Sequence, residues 1–166
     1  DYTGKVSLVG NKIQTTFTLK EDLKDLPKVI FIDEYLTEQD VFNLTNTCDV
    51  YISLHRAEGF GLGIAEAMSL GKPVIVTDYS STKEFCNASN SIPVDYKMVT
   101  VNGSENKLYS GAKKWAEPSI DAAAAALEKL YNNPHLAEKI GMAAKKSIRD
   151  QYSTSRFRDS ILQFLS

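Results

Sequence analysis

The chain lacks any long apolar run. Stretches such as Val29–Ile32 and Ala122–Leu127 fall far short of the roughly 20 residues that cross a bilayer, so no transmembrane segment is expected. It also lacks a basic surplus. Its 19 Lys and Arg against 21 Asp and Glu leave a net charge of −2, which argues against a nucleic-acid partner, whose phosphates need neutralising. Cysteine is scarce: Cys48 and Cys86 are too few for a disulfide framework. With no Cys-x-x-Cys pair, and with His55 and His135 far apart, no structural metal site is expected. The opening Asp1-Tyr2-Thr3-Gly4 has neither the charged nor the apolar region of a secretory signal. Reduced thiols in a cytoplasmic protein are therefore expected. No Gly-x-Ser-x-Gly elbow occurs, which disfavours a serine hydrolase. Gly71-Lys72 is followed by Pro73 and has no upstream glycine at the right spacing, so it is no phosphate-binding P-loop.

What is present suits one domain. The 166 residues are 43% hydrophobic and 24% charged, enough apolar side chain for a core and too much for disorder. Lys5–Val9 reads as a strand followed by an ambiguous Thr-rich stretch, and Val29–Ile32 as a strand buried on both faces. Thr37-Glu38-Gln39-Asp40 resembles a capping box opening a helix with Val41, Leu44 and Thr45 on one face. Val50–Leu54 is the next strand and Gly63–Leu70 the next helix, which Gly71-Lys72-Pro73 stops before the strand Val74–Val76. Ile92–Val94 and Met98–Val101 read as edge strands and Asn102–Pro118 as a loop. Helices follow, the first with Ile120, Ala123, Ala124, Leu127 and Leu130 on one face. The next carries Leu136, Ile140, Ala143 and Ile148, and the last Phe157, Ile161, Leu162 and Leu165. Alternating strands and helices imply an α/β fold: a Rossmann-like, doubly wound, mainly parallel sheet with helices on both faces and a helical C-terminus.

The informative segment is Ser53-Leu-His-Arg-Ala-Glu58-Gly-Phe-Gly-Leu-Gly-Ile-Ala-Glu66. It follows a strand and runs into a helix, where open α/β sheets bind ligands. Gly59, Gly61 and Gly63 permit close approach and positive φ, and free amides near Gly61 and Leu62 suit an anion. Glu66 lies five residues into the helix, or about 7.5 Å along its axis. That spacing fits a nucleotide whose phosphate rests on the helix start and whose ribose hydroxyls reach Glu66. The competing readings are a tight strand-to-helix turn and a solvated helix glutamate.

Glu58-Gly-Phe-Gly-Leu-Gly-Ile-Ala-Glu66-Ala-Met, followed by Leu70-Gly-Lys-Pro-Val-Ile-Val-Thr77, resembles the Glu-(seven residues)-Glu signature of retaining glycosyltransferases of family 4. The resemblance runs from about Val29 to the final helix. It implies one half of a GT-B fold, the C-terminal domain that binds a nucleotide-sugar donor. It further implies sugar transfer to an acceptor hydroxyl with retained anomeric configuration, without metal or other cofactor. It gives Glu58 the donor sugar and the catalytic centre, Glu66 the ribose hydroxyls, and the amides of Phe60, Gly61 and Leu62, beside Gly59, the sugar and diphosphate. Ser80-Ser81-Thr82 stands where the family has a glycine-rich loop near the phosphates, which two of its hydroxyls, with Ser81 and Thr82 the candidates, would serve; a plain helix cap is the other reading. His55 and Arg56 adjoin Glu58; Arg56 either neutralises the diphosphate or pairs with a surface carboxylate. Tyr35 is a candidate contact for the base, and Trp115 reads as packing.

The sequence departs from the family at its front. The family's domain opens with a strand and helix whose Arg and Lys grip the diphosphate, and Lys5 and Lys12 stand in no matching context. The expectation is a donor-binding domain over residues 1–166, a fragment of a two-domain enzyme. Its saccharide or lipid-linked acceptor would bind the missing N-terminal domain. The place would be the cytoplasm, with the inner membrane face where a lipid-linked acceptor would be met. The fragment would bind nucleotide weakly and not turn over alone. A GT-B-like epimerase or phosphorylase and a non-catalytic nucleotide-binding module remain as alternatives.

Overall fold

The computed structural model describes residues 3–9, 12–18, 32, 34–101 and 113–165, and it divides into two compact units, Asp1–Leu36 and Thr37–Ser166. In the first, β1 (Thr3–Val9) pairs antiparallel with β2 (Lys12–Thr18), in register from Thr3 opposite Thr18 to Val9 opposite Lys12. The Thr-rich stretch is thus the partner of the expected strand. Of the strand expected over Val29–Ile32, only Ile32 lies within the described residues, and it is exposed.

The second unit opens with α1 (Glu38–Thr47), whose capping box is complete. The Asp40 amide donates to Thr37 Oγ1 and the Thr37 amide to Asp40 Oδ2, each at 3.2 Å. Hydrogen bonds from the Thr37 side chain and backbone hold the Asp40 carboxyl below its usual pKa. The apolar face expected on this helix is not buried: Val41 and Leu44 are exposed. β3 (Tyr51–Ser53) leads through the glycine-containing loop to α2 (Leu62–Ser69) and β4 (Val74–Thr77). At the end of α2, Gly71 adopts φ +80° while its amide bonds Met68 O (2.9 Å) and the Lys72 amide bonds Ala67 O (3.0 Å). This left-handed stop turns the chain back into the sheet. A short 3-10 helix, Ser80–Glu84, then leads to β5 (Ile92–Val94).

β3, β4 and β5 form a parallel sheet in that order. β4 is buried at every position, which explains its unbroken apolar sequence. Val74 and Val76 join Ile64, Ala67, Met68, Phe85 and Ala144 on one face. Ile75 joins Val94, Ala123, Ala126, Leu130 and Ile140 on the other. Helices therefore cover both faces of an α/β sheet, as expected. Each fully buried aliphatic side chain contributes about 1.5–3 kcal/mol.

Three expectations are corrected. Met98–Val101 is not an edge strand of the parallel sheet. β6 (Tyr96–Thr100) instead pairs antiparallel with β7 (Lys114–Pro118), Val99 opposite Trp115, as a separate ribbon. The end of the supposed loop is thus a strand, held by its pairing with β6, with Ala116 and Pro118 buried on one face and Trp115 and Glu117 half-buried on the other; residues 102–112 lie outside the described residues. In α3 (Ile120–Tyr131), capped by Ser119 Oγ accepting from the Ala122 amide, the buried stripe is Ala123, Ala126 and Leu130. Ile120, Ala124 and Leu127 face outward, because the small alanines are what let α3 lie close to the sheet.

α4 (Pro134–Tyr152) and α5 (Thr154–Leu165) complete the helical C-terminus. α4 buries Ile140, Gly141 and Ala144, whereas Phe157, Ile161 and Leu162 of α5 are exposed. α4 reaches both faces because Gly141 lies against the turn after α2. A Cβ on Gly141 would sit 2.0 Å from the carbonyl oxygen of Gly71. No helix among the described residues is long and apolar enough to cross a membrane.

Gly141→Ala should therefore lower stability by about 1–3 kcal/mol or more, although alanine is favoured over glycine in helices by only about 1 kcal/mol. Gly59→Ala, with open space around the new Cβ, should stay within about 0.5 kcal/mol. Urea unfolding checks both, and coincident midpoints would refute the backbone contact. Both cysteines are free. Burial pushes the Cys86 thiol up to about 12, so native protein at pH 8 should take up alkylating reagent at Cys48 and not at Cys86 until urea is added. The folded thiol keeps its proton after the unfolded one ionises near its ordinary value of 9.0. Stability should accordingly fall as pH rises from about 9 toward 12.

Candidate active site

The candidate site lies beyond the carboxyl ends of β3 and β4, in the loop from Leu54 to Gly61 and the turn from Asp78 to Thr82. Gly61 carries φ +92° and is the N-cap of α2. A side chain there would also meet Thr82 Cγ2 at 2.9 Å, so both conformation and space demand glycine. The first turn closes when the Ala65 amide bonds Gly61 O (2.9 Å). Gly61 offers no side-chain cap to the amides of Leu62, Gly63 and Ile64 ahead of it. Positive φ is confined to this one of the three glycines expected to tolerate it. Gly59 faces open space, and Gly63 makes room for Tyr51, whose hydroxyl lies 2.7 Å from where its Cβ would be.

The two glutamates flank this helix start and are both exposed. Glu58 Oε1 accepts the Gly59 amide at 3.0 Å. Glu66 stands on the side of α2 that faces α1, in a cavity of about 310 Å³ shared with Gln39, Phe42 and Thr45. Tyr51 rises from β3 toward the same place. Desolvation first, then the charges of Glu66, Cys48 and Glu58, hold its phenol above the usual value.

The loop is pinned from several directions. Ser80 Oγ donates to Glu58 O at 2.6 Å and receives the Glu58 amide at 3.4 Å, and Ser81 Oγ donates to the same carbonyl at 3.2 Å. Ser80 does this with φ +70°, the one non-glycine residue with positive φ among the described residues, a conformation costing about 1–3 kcal/mol. His55 links the exits of the two strands. Its Nε2 lies 3.0 Å from Tyr79 O, so that nitrogen carries the proton, and its Nδ1 lies 3.5 Å from Ser53 Oγ. Thr82 is buried and donates to Tyr79 O at 2.9 Å. The Phe60 ring packs on Phe85 (5.3 Å) and edge-on to Tyr152 (5.5 Å), which ties the loop to the end of α4.

Arg56 is engaged with the surface carboxylate of Glu117, the second of its two readings. Its Nη2 and Nε lie 2.8 and 2.7 Å from the two oxygens. The guanidinium also covers the Trp115 ring at 4.7 Å, and the Ala116 amide bonds Arg56 O at 3.1 Å. The ribbon of β6 and β7 is thereby fastened to the loop.

Of the residues expected at the site, His55, Glu58, Gly61, Ser81 and Thr82 meet one another at the start of α2, whereas Arg56 is turned to Glu117 and Glu66 stands further along α2, beside α1. Tyr35 belongs to the first unit and is 98% exposed. Sequence reasoning missed Tyr51, Phe85, Glu117 and Tyr152, and it missed the hold of Ser80 on the Glu58 backbone. Tyr51 alone left a signal, since it shares a strand face with Ser53 one residue pair before the loop. Among the described residues, no three His, Cys, Asp or Glu side chains converge as a metal site would require. A cavity of about 680 Å³ lined by Val50, Pro73, Leu127 and Tyr131 opens at the amino ends of β3 and β4, opposite the end where such sheets hold ligands.

Over 74 residues the chain is 32% identical to a putative glycosyltransferase 48 of Sulfolobus islandicus filamentous virus (isolate Iceland/Hveragerdi). That match covers 44% of this chain and 23% of the viral protein, so the chain spans about a quarter of the relative's length. Residues 3–133 match the family described as glycosyl transferases group 1. That span holds every element from β1 to α3 together with Glu58 and Glu66, and the chain belongs to the group 1 glycosyl transferases.

Proposed function

We propose that this chain is the donor-binding half of a retaining, family 4 type GT-B glycosyltransferase, which moves a sugar from a nucleotide-sugar to an acceptor hydroxyl. The uncapped start of α2, set between Glu58 and Glu66 at the strand ends, carries the reading. Amides of Phe60, Gly61 and Leu62 receive the diphosphate, and the helix dipole favours its charge. Glu66 accepts the ribose hydroxyls from its position further along α2. Glu58 orients the donor sugar, while a donor phosphate oxygen takes the acceptor's proton as the new bond forms on the face the leaving group departs. Fixed amide dipoles stabilise the departing diphosphate in place of a metal. Arg56 would join them only by leaving Glu117; held there, it fixes the ribbon beside the loop. His55 and Thr82 act by holding the loop, through Tyr79 O. The saccharide or lipid-linked acceptor belongs to a further domain of the intact enzyme, so the 166-residue chain alone would bind nucleotide weakly and turn nothing over.

Glu58→Gln in the intact protein should reduce kcat by about 10²-fold or more while nucleoside diphosphate affinity, read by titration calorimetry, stays unchanged. Glu66→Ala should do the reverse, weakening the nucleotide by roughly tenfold or more through loss of charge-assisted hydrogen bonds. Normal turnover by Glu58→Gln would end this assignment. Product NMR should show the donor's anomeric configuration kept, and inversion would exclude the retaining reaction. Titration with UDP, GDP, ADP and NAD separates the classes. Tight NAD binding without binding of any nucleoside diphosphate would mark a dinucleotide module instead.

A further inference from the structure

Ser80 is an unusual residue to find in a left-handed conformation (φ +70°), because a Cβ there clashes with its own backbone. Glycine would adopt it without strain. The compensation is on the page: its hydroxyl donates to Glu58 O at 2.6 Å and accepts the Glu58 amide at 3.4 Å. One side chain thus grips both polar groups of a single residue across the gap between two strand exits. The second lone pair of the Glu58 carbonyl is taken by Ser81 Oγ at 3.2 Å, so that peptide has little freedom to rotate. By contrast the Glu58 side chain is exposed, and among the described residues its carboxylate accepts a hydrogen bond from the Gly59 amide, the next residue of the same held backbone. Its direction is therefore set by its backbone.

We propose that Ser80 is the positioning residue for Glu58. Its strained backbone brings the hydroxyl onto the Glu58 peptide and aims the carboxylate at the donor sugar. The role rests on the glycosyltransferase reading above, whereas the clamp itself does not. In this role Ser80 acts through Glu58 rather than on the substrate. Its contribution is to remove rotational freedom from the group that does.

Ser80→Gly tests this, because it keeps the left-handed turn and relieves the strain while the hydroxyl goes with the rest of the side chain. In the intact enzyme kcat should fall by about tenfold or more, with donor KM within about twofold and the urea midpoint held or raised. Ser80→Ala should show the same loss of kcat together with a lower midpoint, since strain remains without compensation. In the ligand-free protein, the Glu58 amide of Ser80→Gly should exchange with deuterium about tenfold faster or more. A kcat within twofold of the parent overturns the proposal. So does a loss confined to donor KM, which would make Ser80 a donor contact, and so does unchanged exchange at Glu58. Failure of the transferase reading is told apart by Glu58→Gln, which would then turn over normally while the exchange result still reported the clamp.

Discussion

Because β4 carries apolar side chains on both faces, neither face can be left to water, and the rest of the second unit follows from covering them. Val74 and Val76 require α2, Phe85 and Ala144 on one side, and Ile75 requires α3, Val94 and Ile140 on the other. α4 contributes to both clusters, through Ile140 to one and Ala144 to the other, on either side of the point where Gly141 meets the turn after α2 at Gly71. The left-handed stop at Gly71 sets the angle at which α2 re-enters the sheet. Burial of one four-residue strand thus fixes where α2 begins as well as where it ends.

That beginning is the candidate site. The start of α2 has no side-chain cap of its own, and it owes its surroundings to the turn leaving β4. Ser80 and Ser81 hold the Glu58 peptide, Tyr79 O receives His55, and Thr82 fills the space that Gly61 leaves open. An exposed, anion-ready helix end is thereby backed by a layer in which most polar groups are already paired. Such an arrangement costs little to reorganise when a ligand arrives, which is the condition for electrostatic stabilisation to act on a reaction. Phe60 adds a mechanical link, since its ring joins the loop to Phe85 and to Tyr152 where α4 ends.

Strands and helices of this unit were legible wherever a local pattern governed them. The capping box at Thr37, the apolar run at Val74 and the Gly-Lys-Pro stop at Gly71 were each readable from a few neighbouring residues. Lys114–Pro118 was not, because its strand exists by pairing with Tyr96–Thr100 across an intervening stretch and carries no strong alternation of its own. The buried face of α3 was misjudged for a related reason. Leu127 and Ile120 are more hydrophobic than Ala123 and Ala126, yet close helix-to-sheet packing selects the small side chains.

By itself the sequence determined the alternation of strand and helix from β3 to β4, the glycine-bearing loop after β3 and the two glutamates at either end of that motif. These depend on residue type and spacing within a short window. Tertiary structure alone decided which polar groups were already spoken for. Arg56 lies against Glu117, 61 residues away, and Ser80 grips Glu58 from 22 residues away. Such partners are set by where folding brings two strand exits together, and no local pattern of residues encodes that distance.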